Sequence, residues 1–256
     1  MIATLGMYDW PEVQADTDRL WHLVRDRLRQ EGLAAPDELT RGVDLWDMWQ
    51  DPGLILGHTC GFPYRTQLHD KVALVGTPDY GLEGAAPGYY YSCLVVRATD
   101  AGSWQDFLPR RLAINGADSQ SGWAAPQNLA AAAGGRFGRL VVTGAHKATA
   151  RAVAEGRADI GAIDAVTWRL VERFRPEIAR RLRIVALTEP TPGLPFITAR
   201  PENAAPVAAA VRAALAARPA ALASAVPGLK GLVALPTEAY LAVPVPPAPT
   251  TAELAA

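Results

Sequence analysis

Short apolar runs alternate with stretches of helical spacing along most of this chain, and that alternation restricts the fold more than any other feature. "IATLGMY" (Ile2 to Tyr8) reads as a strand. A helix follows from about Thr17, with Leu20, Leu23, Val24 and Leu28 on one face and Gly32 as its stop. "LILGHT", "KVALVGTP" and "YYYSCLVVR" (Tyr89 to Arg97) read as further strands. Strands alternating with helices imply an α/β protein with a largely parallel sheet.

The middle of the chain repeats the alternation by itself. "RLAING" leads to a helix over Ser121–Ala133, "RLVVTG" to one from His146 to about Glu155, and "ADIGAID" to one through about Arg173. After "LRIVALTEPTPGLPFITA" a last helix is expected from about Asn203 to Ala217, and then a Pro- and Ala-rich tail, docked or frayed. A self-contained segment of this kind implies a lobe inserted into another. The expected division is 1–96 plus 190–256 for the first lobe and 97–189 for the second. Two crossings between lobes, near Arg97–Ser103 and Leu187–Leu194, imply a hinge, with ligand in the cleft.

One corner carries more donors than a connection requires. "LAINGADSQSGWAAPQNLAAAA" places Asn115, Ser119, Gln120, Ser121 and Gly122 between a strand and an alanine-rich helix. A helix start has unpaired N–H groups and a partial positive charge, hydroxyls add donors, and glycine lets an anion approach. A serine N-cap explains one hydroxyl and not the set. His146 opens the next helix, as a structural histidine or a ligand contact. Asp164 ends a strand, where it either caps the following helix or faces a ligand.

"GADSQSGWAAP" followed by "TGAHKATARAVAEGRADIGAIDAVTW" resembles the phosphate/phosphite/phosphonate substrate-binding proteins of ABC transporters, with "LGMYD", "HTCGFP" and "YYYSCLVVR" as weaker parallels. The resemblance implies a two-lobe, type II periplasmic-binding-protein-like α/β fold with a hinged interlobe cleft. It implies that Tyr8, Asn115, Ser119, Gln120, Ser121, Gly122, His146 and Asp164 bind a small oxyanion, and that the partner is an ABC permease. Tyr8 has core burial as its other reading. A carboxylate facing an oxyanion needs a shared proton or an amine on the ligand, so Asp164 would report ligand type. "SQSG" has glutamine where several relatives carry threonine. Trp10 and Trp123 flank the motifs, where they would narrow the cleft or stack on an organic group, which favours a substituted ligand over bare phosphate.

Composition bounds the rest. With 256 residues, 50% hydrophobic, 20% charged and a net charge of -1, the chain suits a globular protein of one large or two small domains. Residues 97–190 hold 14 Lys/Arg against 9 Asp/Glu, a basic middle that either favours anions or is a solvated surface. The basic residues do not cluster with aromatics, so nucleic acid is not expected. The histidines are scattered, so neither a metal nor a cofactor is expected; Cys60 and Cys93 are expected to be free thiols. No apolar run approaches the roughly 20 residues that span a bilayer. The start lacks a signal peptide, so the chain as written is cytoplasmic, or periplasmic if a leader has been removed. A monomer is expected. The alternative is a cytosolic enzyme on the same fold, akin to those of menaquinone or thiamine-pyrimidine biosynthesis. Neither GxSxG nor a Walker A loop appears to support it.

Overall fold

A computed structural model describes residues 1–219 and 228–254. The chain forms two compact units, Met1–Tyr89 with Pro192–Leu241, and Tyr90–Thr191 with Ala242–Ala256.

In the first unit five strands form one sheet in the order Ile2–Thr4, Leu54–His58, Phe196–Thr198, Ala73–Asp79, Gly231–Val233. The first two are parallel, whereas Phe196–Thr198 and Gly231–Val233 run antiparallel to their neighbours. The sheet is therefore mixed rather than largely parallel. The helix Gln14–Gln30 starts three residues earlier than its apolar pattern suggests, and buries Leu20, Trp21, Val24 and Leu28. Leu23, expected on that face, is only partly buried, because Trp21 fills the inner row. The stop is the expected one. Gly32 takes φ 78°, the Leu33 N–H donates to the Leu28 carbonyl at 2.9 Å, and the Gly32 N–H to Arg29 at 3.1 Å. This pair of bonds closes a helix through a left-handed residue that glycine adopts without penalty. Trp49, Leu54, Tyr64, Leu68, Ile197 and Tyr240 make a shared core cluster. Two hydroxyl contacts tie the Thr237–Leu241 helix to it, Tyr64 Oη to Thr237 Oγ1 at 2.9 Å and the buried Tyr240 Oη to Thr77 Oγ1 at 2.6 Å.

In the second unit the sheet order is Arg139–Val142, Arg111–Ile114, Ile160–Asp164, Ser92–Arg97, Leu182–Leu187. Arg111–Ile114 is parallel to both neighbours. Ser92–Arg97 is antiparallel to both of its own. Helices Ala125–Ala132, His146–Ala154 and Ala165–Phe174 connect or follow the parallel strands. Leu94, Val95 and Val96 are fully buried, as a run apolar on consecutive positions requires when both faces of a strand are covered.

That strand sits differently from the sequence-based division, which ended the first lobe at residue 96. The run Ser92–Arg97 lies inside the second unit's sheet, and the unit boundaries fall at Tyr89/Tyr90 and Thr191/Pro192. Alternation marks where a repeat of strand and helix begins. It is silent on which sheet an unaccompanied strand joins. The tail also sits differently, since Ala242–Ala256 belongs with the second unit. Asn128 Nδ2 donates to the Pro244 carbonyl at 3.0 Å, and Arg136 pairs with Glu253. Parts of the expected 190–256 segment, residues 220–227 and 255–256, lie outside the described residues.

Candidate functional site

The second unit offers a topological address for a ligand. From Arg111–Ile114 the chain moves to one neighbouring strand, Arg139–Val142, and then to the neighbour on the other side, Ile160–Asp164. In parallel α/β sheets such a reversal opens a crevice at the carboxyl ends of the strands. The three segments leaving those ends carry Ser119–Ala124, His146 and Asp164.

The first is a π-helical turn, Gln120–Ala124, entered through Ser119. Ser119 Oγ accepts the Gly122 N–H at 3.0 Å, so this hydroxyl is the N-cap. Ser121 Oγ instead reaches out of the turn, 2.7 Å from His146 Nε2. The Ser121 carbonyl is held by the Ser92 hydroxyl at 2.9 Å, and the Ser92 N–H donates to Thr188 Oγ1 at 3.0 Å. Ser92 is a positioning group that the sequence reading did not single out; its only signal was a hydroxyl within an otherwise apolar strand. Gln120 is buried, its Nε2 3.5 Å from Thr191 Oγ1.

Gly122 has a different reason from the expected close approach of an anion. A Cβ there would run into Asn115 Oδ1. That oxygen is buried without a hydrogen-bond partner among the described residues. Asn115 thus packs its carboxamide onto the turn, and glycine is what makes room.

His146 begins the second helix, with its side chain about 11% exposed. Nδ1 lies 3.1 Å from the Ala162 carbonyl. A carbonyl only accepts, so Nδ1 carries the hydrogen and Nε2 of the neutral ring accepts from the Ser121 hydroxyl. Burial holds the imidazole pKa below its ordinary value, against the opposing pull of the Asp164 charge and the Ala162 carbonyl. Asp164 Oδ1 caps the third helix by accepting the Thr167 N–H at 2.9 Å. Its Oδ2 faces the same His146 Nε2 at 3.6 Å. Asp164 is thus the helix cap through Oδ1, while Oδ2 is turned toward His146.

This is not a charge relay. Ser121 and Asp164 address the same imidazole nitrogen, whereas a relay needs the carboxylate on the opposite one. What the cluster offers is a hydroxyl, an imidazole and backbone donors with a single carboxylate beside them. Among the described residues, no arginine or lysine side chain is hydrogen-bonded to Ser121, His146 or Asp164.

Tyr8 belongs to the first unit and is 6% exposed. Its ring meets His58 edge-on at 5.6 Å and Tyr80 at 5.2 Å. These rings, with Phe196, Leu5 and Leu229, line a small cavity. His58 Nε2 is buried without a hydrogen-bond partner among the described residues. Burial drives the His58 pKa down to about 3, although the ring also bonds the Leu194 backbone. His58 was not among the site residues expected from the sequence, where its signal is an imidazole closing an apolar strand.

Trp123 corrects the expectation that it flanks an open cleft. It is fully buried, because the π-turn that sends Ser121 outward sends its second neighbour inward. Trp10 is partly buried. Cys60 and Cys93 are buried and form no disulfide, and among the described residues no group of three or more His, Cys, Asp or Glu gathers as a metal site. Nor is any helix among them long and apolar enough to cross a membrane.

The family model described as ABC transporter, phosphonate, periplasmic substrate-binding protein matches residues 56–240. Against curated proteins no match is found. Among solved structures, PhnD1 from Prochlorococcus marinus in complex with methylphosphonate is similar with a TM-score of 0.68 at 14% identity, covering 89% of this chain and 90% of that one. A Xanthomonas citri protein bound to chloride ion gives 0.67 at 17% identity, covering 90% of each chain. A binding-protein component of an ABC phosphonate transporter from Pseudomonas aeruginosa gives 0.54 at 20% identity, over 71% of this chain and 63% of that one. At such identities these likenesses speak for the fold, that of the periplasmic binding proteins.

Proposed function

Because the chain belongs to the periplasmic substrate-binding family of ABC phosphonate transporters, we propose that it captures a small phosphonate- or phosphate-like oxyanion through Ser121, His146 and the Ser119–Ala124 turn. It is a solute-binding protein, and its partners are a small-molecule ligand and an ABC permease. The reading places it in the periplasm, as a monomer, handing its ligand to that permease.

The observation that carries the reading is the meeting of Ser121 Oγ and His146 Nε2, at 2.7 Å, on two helix starts at the carboxyl ends of parallel strands. A tetrahedral oxyanion needs several donors converging on one point; the backbone N–H groups of the turn are such donors, and the Ser121 hydroxyl joins them when it turns from His146 Nε2 to the ligand, leaving that nitrogen to accept a proton from a partly protonated ligand. Asp164 Oδ2 beside them disfavours a ligand with no proton to share. Phosphonates and phosphate retain an acidic proton near neutral pH and sulfate does not, so a partly protonated ligand, or one carrying an amine, suits the carboxylate. Ser119, Gln120, Gly122 and Asn115 shape the turn in this reading. Tyr8 lies in the first unit, packed against His58 and Tyr80.

Titration calorimetry against phosphate, phosphite, methylphosphonate, aminoethylphosphonate and sulfate tests this. Saturable heats with a phosphonate and none with sulfate are expected. Sulfate binding as well as the phosphonates would overturn the role given to Asp164, and silence toward the whole panel would overturn the oxyanion reading.

A further inference from the structure

The C-terminal arm meets the second unit directly behind the Ser119–Ala124 turn. Arg136, in the loop after the Ala125–Ala132 helix, sets its guanidinium carbon 5.5 Å from the centre of the Trp123 ring. The same guanidinium grips Glu253 with two bonds, Nε to Oε1 at 2.7 Å and Nη2 to Oε2 at 3.1 Å. Glu253 is itself fixed: Oε2 accepts from the Thr250 N–H at 2.7 Å and the Thr250 hydroxyl at 3.1 Å. The short helix that they cap, Thr251–Leu254, packs on Arg139–Val142, the terminal strand of the sheet. Pro244 anchors the arm further back through Asn128.

Ring, guanidinium and carboxylate thus form a stack whose inner member, Trp123, directly follows Gly122 in the turn. A planar guanidinium can use its face on an aromatic ring and its edge on a carboxylate at once, which a lysine ammonium does not do. Glu253 feels the pairing, its pKa drawn down to about 2 by the Arg136 hydrogen bonds. Trp123 has no exposed surface of its own, so any shift of the ring is transmitted to the backbone that aims Ser121.

We infer that the segment from Pro244 to Leu254 is a strap that sets the geometry of the Ser121 turn, with Arg136 and Glu253 as positioning residues acting through Trp123. Its importance for ligand rests on the function proposed above; its effect on the turn does not. The device is local to the second unit and needs no ligand to operate. A loosened strap lets water reach the buried imidazole and lengthens the Ser121–His146 bond.

The test uses the full chain with Glu253→Gln, Arg136→Gln and the double variant, with His146 followed by NMR titration and methylphosphonate affinity by calorimetry. Each single variant is expected to raise the His146 midpoint toward its ordinary value and to weaken binding by about two- to fivefold. The double variant is expected to go no further than the singles, since both residues act in one stack. A His146 midpoint unchanged in all three, or single effects that simply add, would overturn the strap. If the midpoint moves as described while wild type and variants alike ignore every phosphonate, the strap stands and the proposed function falls.

Discussion

Ser121 Oγ and His146 Nε2 lie 2.7 Å apart although 25 residues separate them in the chain. The bond joins two helix starts through the hydroxyl proton, because the Ala162 carbonyl fixes the ring hydrogen on Nδ1. Removing the hydroxyl leaves a buried imidazole nitrogen unpaired and deletes a donor from the cluster. Ser121→Ala should weaken phosphonate binding by roughly 1–3 kcal/mol in calorimetry. An unchanged affinity would reduce Ser121 to a structural partner of His146.

Gly122 and Asn115 make a second pair that can be checked without ligand. Gly122→Ala drives a methyl into Asn115 Oδ1, so denaturant melts should show a loss of roughly 1–3 kcal/mol. Adding Asn115→Ala should recover part of that loss, because the double variant clears the collision. If the two losses add in full, the collision is not the cause.

Acid sensitivity follows from two histidines, the buried His58 and the largely buried His146. The unfolded chain protonates each near pH 6.5, whereas the folded chain protonates His58 only near pH 3, and His146 also below its ordinary value. Stability is therefore complete above about pH 6.5 and falls as the pH drops from there, by up to roughly 1.4 kcal/mol per pH unit for each histidine. For His58 the fall continues toward pH 3. Denaturant melts at pH 7 and pH 5 should show the loss, and His58→Phe should flatten its share of the slope. Equal stability at the two pH values would contradict neutral burial of these rings.

A control lies at the other end of the same strands. Asp159 bonds Arg111 at 3.0 Å and Arg97 at 3.3 Å, and the Arg111 hydrogen bonds hold its pKa down to about 2. Its contribution is present above the ordinary carboxylate range and is lost as pH falls from about 4 toward 2. Asp159→Asn should lower stability by about 1–2 kcal/mol and leave phosphonate affinity as in wild type. An affinity loss would mean that the two ends of the sheet are coupled.

Much of this protein was legible before any tertiary structure. The strand and helix runs, the Gly32 stop, the donor-rich corner from Asn115 to Gly122 and the family resemblance all rest on local chemistry: side-chain period, backbone freedom and capping groups. Those depend on residues a few positions apart, so the amino-acid order determines them. Tertiary structure decided where each strand went. Ser92–Arg97 joined the second sheet, because a run apolar on both faces is satisfied in any sheet interior and only pairing selects one. It decided that Ser119 caps while Ser121 reaches His146, since two serines two positions apart differ only in which way a π-turn sends them. It also packed Asn115 onto Gly122 and Trp123 into the interior, and paired Glu253 with Arg136, contacts that side-chain period and capping groups do not specify.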